Sequence, residues 1–262
     1  MTPAAERGSL TVVGTGIDVG GQLTPQAQAA FVGAEEALYL VGDPVAVRLL
    51  EGMNPKARSL HGLYREGKDR LTTYGEMVEA MLGPARAGHD VCAAFYGHPG
   101  VFVYPARVAM DRAREDGLRV RMFPGISSLD CLFADLGLDP AVSGCQIYHA
   151  TDFVLNRTTP DPTAFLVLLQ ISVIGQPAHV DQADWSRLPV LVEYLRELYP
   201  PEHEVIAYEA SPLPLIPPVV ERLPLSGLAG AELSVGMTLV VPPAARATAD
   251  PTMLRRLGLS PS

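Results

Sequence analysis

The chain alternates short apolar runs with amphipathic stretches, and glycine or proline punctuates the joins. Residues 10–13 form a β-branched run ending in glycine, which predicts a buried strand. Thr24 and Pro25 predict a helix start, with Thr24 as N-cap and Pro25 at the first helical position. Ala27, Ala30, Phe31 and Ala34 give that helix an apolar stripe. A strand over 37–41 and a helix from Asp43-Pro44 through Leu50 follow. Thr73 and Glu76 have the spacing of a capping box, which predicts a helix over 73–86. A strand over 91–95, a helix over 105–116 stopped by Gly117, and a strand over 119–123 complete this half. Strands alternating with helices predict parallel pairing through helical crossovers.

After Pro124 a second, similar unit is predicted. It has helices over 127–136 and 189–198, and strands over 146–149, 164–170, 205–209 and 238–241. Residues 156–163 read as a loop. So does 211–218, whose four prolines would each remove a ladder donor. A short basic helix over 252–257 lies in the tail. The expected organisation is α/β, with domains at 8–124 and 125–245 and a tail at 246–262.

Composition narrows the classes. The 262 residues are 48% hydrophobic, enough for ordinary cores. Twenty basic against 29 acidic residues give a net charge of −9, which argues against a nucleic-acid partner. No apolar run approaches the roughly 20 residues that span a bilayer, and residues 1–8 lack a signal-peptide apolar region. The three cysteines, Cys92, Cys131 and Cys145, are widely spaced in apolar contexts. They read as buried thiols of a reducing compartment, not as a disulfide framework or metal site. The expectation is a cytoplasmic protein without a metal.

Candidate chemistry centres on three glycine-rich turns, each after an apolar strand. They are Val13-Gly14-Thr15-Gly16, Tyr96-Gly97-His98-Pro99-Gly100-Val101-Phe102 and Pro124-Gly125-Ile126-Ser127-Ser128. The first is not a dinucleotide fingerprint, because Val19 stands where the third glycine belongs. Gly97 and Gly100 allow close backbone approach to a ligand, and Pro99 stiffens the loop between them. His98 is either a loop histidine satisfied by a backbone group or a ligand contact. Ser127 and Ser128 open a helix, so they either cap it or share its free N–H groups with a ligand carboxylate or hydroxyl. Gln170 ends a strand as a water-facing residue or a ligand contact. Trp185 reads as a partner anchor or part of a satellite core.

The three turns resemble the S-adenosylmethionine site of the tetrapyrrole (corrin/porphyrin) methylase superfamily. That resemblance implies two α/β/α domains with the cofactor in the cleft between them. His98 departs from the superfamily, which usually has aspartate there. Further matches point to one branch: Gln22-Leu23-Thr24, Leu63-Tyr64-Arg65-Glu66-Gly67-Lys68-Asp69-Arg70-Leu71, Thr73-Tyr74, and Asp130-Cys131-Leu132-Phe133-Ala134-Asp135-Leu136. With these the chain is similar to the borosin peptide-backbone α-N-methyltransferases from Gly8 to about Leu257. The resemblance implies cofactor contacts from Gly14, Tyr96, Gly97, His98, Pro99, Val101, Phe102, Ser127, Ser128, Gln170, Tyr208, Ala210, Met237 and Thr238. It also implies a catalytic trio of Tyr64, Arg70 and Tyr74.

Residue chemistry agrees with that trio. A tyrosinate is a stronger base than a carboxylate, and a nearby arginine favours the charged phenol. Tyr74 is the expected base, Arg70 the group that tunes it, and Tyr64 a second phenol that orients the amide. The fungal borosins carry a C-terminal clasp and their own substrate peptide. This sequence resembles instead the split bacterial members, which implies a separate precursor peptide, a homodimer, and a hetero-oligomer with the precursor. The rival expectations are methylation of a tetrapyrrole or other small molecule, and a non-catalytic peptide-binding scaffold.

Overall fold

The computed structural model describes residues 8–179 and 182–260. Residues 1–7, read above as lacking a signal segment, lie outside them. The chain forms two compact units. The first runs to Leu136 and takes in Gln176–Gln182 and Ala210–Val219; the second contains Gly137–Gly175, Ala183–Glu209 and the chain from Val220 onward. The boundary after Leu136 lies beyond the Pro124 expected from sequence. The helix after Pro124 is tied to the first unit, where Gln22 Nε2 donates to Cys131 Sγ at 3.7 Å.

In the first unit the elements run β1 (Ser9–Gly14), α1 (Val19–Gln22), α2 (Pro25–Gly33), β2 (Glu36–Leu40), α3 (Pro44–Met53), β3 (Arg58–Ser59), α4 (Arg70–Arg86), β4 (Asp90–Phe95), α5 (Tyr104–Glu115), β5 (Arg119–Phe123) and α6 (Ser128–Leu136). The sheet order is β3-β2-β4-β1-β5. Each neighbouring pair is parallel. Successive strand residues face opposite sides. Val12, Ala93 and Phe95 therefore pack with Met77, Met81 and Ala109 of α4 and α5. Val13, Cys92 and Ala94 pack with Phe31 and Leu50 of α2 and α3.

Strand order decides where a ligand can sit. The β1-to-β2 connection crosses β4, whereas the β4-to-β5 connection crosses β1 in the opposite sense. The loops leaving β1 and β4 therefore diverge at a topological switch point, beyond the carboxyl ends of the strands. The three glycine turns follow β1, β4 and β5.

Thr24 caps α2 as expected, accepting from Ala27 N–H at 3.2 Å. The cap of α4 differs from the sequence expectation. Asp69 is the N-cap and accepts from Thr72 N–H at 2.8 Å. Thr73 lies in the first turn and donates its hydroxyl to Asp69 O at 3.2 Å, while Glu76 pairs with Lys68. An aspartate at the chain's entry to the helix outcompetes the threonine, whose hydroxyl is spent on the preceding turn.

In the second unit follow α7 (Pro140–Ser143), β6 (Cys145–His149), α8 (Ala150–Leu155), β7 (Phe165–Leu169), α9 (Leu188–Arg196), β8 (Glu204–Glu209), β9 (Val219–Pro224), β10 (Thr238–Val241) and α10 (Pro251–Arg256). The sheet order is β6-β7-β10-β8-β9. Only part of the predicted parallel alternation persists here: β6 and β7 are parallel, but β10 is antiparallel to β7 and β8. No α-helix separates β8 from β10, and antiparallel neighbours need no helical crossover. Trp185 packs against this unit's core.

Candidate functional site

The glycine turns meet at one place in the first unit. Gly16 N–H donates to Gly97 O at 3.2 Å, and Gly97 N–H donates to Gly16 O at 2.9 Å, so the first two turns pair like strands. The third turn reaches the same point. A Cβ on Gly125 would lie 2.3 Å from Gly97 O. Bare backbone thus floors a cradle at the strand ends. Gln22 pins the first turn, since its Oε1 accepts from Ile17 N–H at 2.8 Å and Asp18 N–H at 3.1 Å. Sequence reasoning left Gln22 without a role, although it stands in the Gln22-Leu23-Thr24 match.

His98 shapes the second turn. Its Nδ1 accepts from Gly100 N–H at 2.9 Å. In a neutral ring this places the proton on Nε2. The same acceptor role is filled by Asp43 at the start of α3, where Oδ1 takes Val45 N–H at 2.9 Å. Imidazole nitrogen can therefore replace the carboxylate usual at the loop position, because both offer an acceptor to the residue two places on. Pro99 is buried and Val101 half-buried. Tyr96 is 45% exposed and Phe102 56%, so both rings lie at the surface beside the cradle rather than in the core.

Phe102 has φ 58° and Gln170 φ 62°; with Arg157, these are the non-glycine residues in the left-handed region among those described. Such conformations cost about 1–3 kcal/mol each and concentrate at functional positions. Two of the three fall on candidate ligand residues.

Ser127 is the N-cap of α6. Its Oγ accepts from Asp130 N–H at 3.3 Å, and Asp130 Oδ2 accepts both Ser127 N–H and Ser127 Oγ–H at 2.7 Å. This reciprocal box takes up the Ser127 N–H and hydroxyl, so Ser127 fills the capping role, one of the two read from sequence. The Asp130 charge also opposes a second anion there. Asp130 was the missing signal, three residues after Ser127. Beside this turn lies a cavity of about 820 Å³, bordered by Asp18, Gln22, Ile126, Asp130, Asp135 and Ala210 among others. Its carboxylates suit a ligand bearing hydroxyls or positive charge.

The tyrosine–arginine cluster lies on the loop before α4 and on its first turns. The Tyr64 and Tyr74 phenols lie close enough to influence one another. Burial, then the neighbouring Tyr74, pushes the Tyr64 phenol well above the ordinary tyrosine range, and the Arg70 charge only partly opposes that rise. Tyr64 therefore stays protonated. Arg70 is anchored twice, through N–H to Pro177 O at 3.1 Å and Nε to Ala178 O at 3.2 Å. The Tyr74 ring stands 5.7 Å from that of Tyr104, which opens α5 just beyond Phe102. Tyr104 thus links the cluster to the second glycine turn, a connection hidden in sequence. Sequence reasoning also missed His179, whose ring lies 4.6 Å from that of Tyr64.

The remaining candidates, Gln170, Tyr208, Met237 and Thr238, belong to the second unit. Tyr208 faces Thr238 across the β8–β10 ladder, and both are buried, as is Met237. Ala210 and Ser128 are in the first unit. Among the described residues no group of three His, Cys, Asp or Glu side chains is placed to hold a metal ion. Among them, too, no helix is long and apolar enough to cross a membrane.

Comparison with known proteins places these features. The family model for tetrapyrrole (corrin/porphyrin) methylases matches residues 9–211. The methyltransferase/ribosomally synthesized cyclic peptide omphalotin A precursor of Omphalotus olearius is 39% identical over 97% of this chain, which spans 62% of that relative's length. The methyltransferase/ribosomally synthesized type I borosin cyclic peptide precursor of Coprinopsis marcescibilis is 35% identical over 100% of this chain and 69% of its own. Uroporphyrin-III C-methyl transferase from Thermus thermophilus, solved with S-adenyl homocysteine, shares the fold with TM-score 0.64 at 19% identity, covering 89% of this chain and 97% of that one.

Proposed function

Because the chain belongs to the tetrapyrrole (corrin/porphyrin) methylase family, we propose that it transfers methyl groups from S-adenosylmethionine to backbone amide nitrogens of a ribosomally made peptide. The observation that carries this reading is the proximity of the Tyr64 and Tyr74 phenols beside the Arg70 charge. The names of the borosin relatives, at 35–39% identity, favour a peptide over a tetrapyrrole substrate.

The residues fit the cofactor. The cradle floor is glycine backbone, the Tyr96 and Phe102 rings lie partly exposed beside it, and the adjoining cavity is acidic. When bound, S-adenosylmethionine supplies an electrophilic methyl group. The chain's own residues do the rest. An amide nitrogen is a poor nucleophile because its lone pair is delocalised into the carbonyl. Tyr74 takes the N–H proton. Tyr64, held protonated, donates its O–H to the Tyr74 oxygen and steadies the negative charge needed there. Arg70 stabilises charge that builds on the amide oxygen. The N–H bond breaks and its proton ends on Tyr74, while the N–methyl bond that forms replaces the donor's sulfur–methyl bond and S-adenosylhomocysteine would leave as the neutral thioether.

The protein is expected to act as a homodimer on a precursor supplied as a separate chain. The test combines the purified chain, S-adenosylmethionine and a candidate precursor, with tandem mass spectrometry to locate methyl groups and light scattering to count subunits. Methylation at backbone nitrogen supports the reading. Transfer to a precorrin but not to peptide replaces it with tetrapyrrole methylation.

A further inference from the structure

A segment distant in sequence is laid against the tyrosine–arginine loop. Gly67 N–H donates to His179 O at 3.0 Å, and His179 N–H donates to Lys68 O at 2.8 Å. Asp69 and Ala178 form an antiparallel bridge. With the Arg70 bonds to Pro177 and Ala178, four backbone positions of the loop are strapped by residues 177–179. The strap brings a ring as well as hydrogen bonds. His179 lies over Tyr64 with centroids 4.6 Å apart and planes inclined by 31°, while His61 meets Tyr64 edge-on at 5.6 Å and 82°. Tyr64 follows a 3₁₀ turn and precedes α4, so no regular element fixes its side chain. Its ring packs on one side against the first unit's core and otherwise meets the two imidazoles and Tyr74.

We infer that His179 is a positioning residue for the phenol pair, its imidazole holding the Tyr64 ring where the hydroxyl meets Tyr74. The effect on methyl transfer rests on the function proposed above; the effect on Tyr64 does not. Ring contact, not the ring nitrogens, carries the role, so phenylalanine should replace histidine and alanine should not.

The test compares His179→Ala and His179→Phe in the full chain by two readouts. The first is kcat and KM for peptide methylation, with cofactor affinity measured separately. An aromatic contact of this kind corresponds to about a tenfold change in rate. His179→Ala should lower kcat by about that factor and leave cofactor affinity unchanged, whereas His179→Phe should retain wild-type kcat. The second readout is tyrosine ring-carbon NMR, with the Tyr64 signal assigned through Tyr64→Phe. In the wild type and His179→Phe, Tyr64 should remain protonated where exposed phenols ionise. In His179→Ala it should begin to ionise with them. A wild-type Tyr64 signal in His179→Ala, or a shifted one in His179→Phe, overturns the inference. If His179→Ala does not fold, the His179→Phe signal alone decides. If the wild type methylates no peptide, the proposed function fails while the Tyr64 signal still decides the role of His179.

Discussion

Gly14 and Gly125 stand so close that a Cβ on Gly14 would lie 2.7 Å from the Gly125 Cα, and one on Gly125 would lie 2.8 Å from the Gly14 Cα. Both imagined atoms also strike Gly97 O, at 2.4 and 2.3 Å. Glycine at these two positions is a packing demand of three strand ends converging. Gly97 is glycine for another reason. Its φ is +68°, yet nothing lies within 3.6 Å of its imagined Cβ.

This difference predicts the order of damage. Gly14→Ala and Gly125→Ala force backbone apart and should each cost about 2–3 kcal/mol of stability, in the range of overpacking. Gly97→Ala meets only the left-handed penalty of about 1–2 kcal/mol. Urea unfolding gives the stabilities and calorimetry the cofactor affinities. An unfolding midpoint for Gly14→Ala equal to wild type would contradict the crowded cradle.

The proposed proton path makes Tyr74 and Arg70 necessary for chemistry rather than for cofactor binding. Tyr74→Phe and Arg70→Ala should lower methylation by about 10²–10⁴-fold, the span of a positioned acid–base group. Affinity for S-adenosylmethionine should stay within a few-fold. Mass spectrometry of peptide products, with calorimetry on each variant, reads both. Wild-type methylation by Tyr74→Phe would assign the base elsewhere.

The first unit was largely legible because its rules are local. Periodicity marked β1, β2, β4 and β5, and Thr24-Pro25 and Asp43-Pro44 marked two helix starts. Glycine after each of three strands marked the cradle. What stayed hidden depends on returns of the chain. The strap at 177–179 meets Arg70 and Tyr64 from over 100 residues away in sequence, and no local pattern announces it. The antiparallel β10 was hidden likewise, since Thr238–Val241 has the same apolar pattern in either direction. The cap of α4 was misread where two polar residues competed, Asp69 against Thr73, whereas at Ser127 the cap, one of the two roles the sequence allowed, forms with Asp130.

Burial also sets an alkaline limit. The Cys92 thiol is pushed up to about 12 by burial. In the unfolded chain it ionises near pH 8.5, about its ordinary value. Between these values the unfolded state releases a proton that the folded state keeps, so stability falls as pH rises and is full only below that window. One thiol accounts for about 1.4 kcal/mol per pH unit. Cys92→Ala should flatten the decline measured by urea unfolding from about pH 8 to 10. Cys131, Cys145 and Tyr64, whose values burial also raises, leave a residual slope. Parallel profiles for wild type and variant would remove Cys92 as a source.

His98 offers the most specific test of the second glycine turn. Its Nδ1 holds Gly100 N–H, and its ring crowds residue 100, where a Cβ would lie 3.0 Å from Cε1. If the acceptor is what matters, the ring is replaceable and the acceptor is not. Asparagine and aspartate each place an oxygen where it can take the N–H two residues on, as Asp43 does for Val45. His98→Asn and His98→Asp should therefore keep cofactor affinity within a few-fold. His98→Ala leaves Gly100 N–H without its partner and frees the loop, a loss of about 1 kcal/mol that reads as roughly five- to tenfold weaker binding. Calorimetry with S-adenosylmethionine on the three variants separates the cases. Equal weakening in all three would mean that the imidazole itself touches the cofactor, and the histidine would then be a ligand contact rather than the brace of the turn.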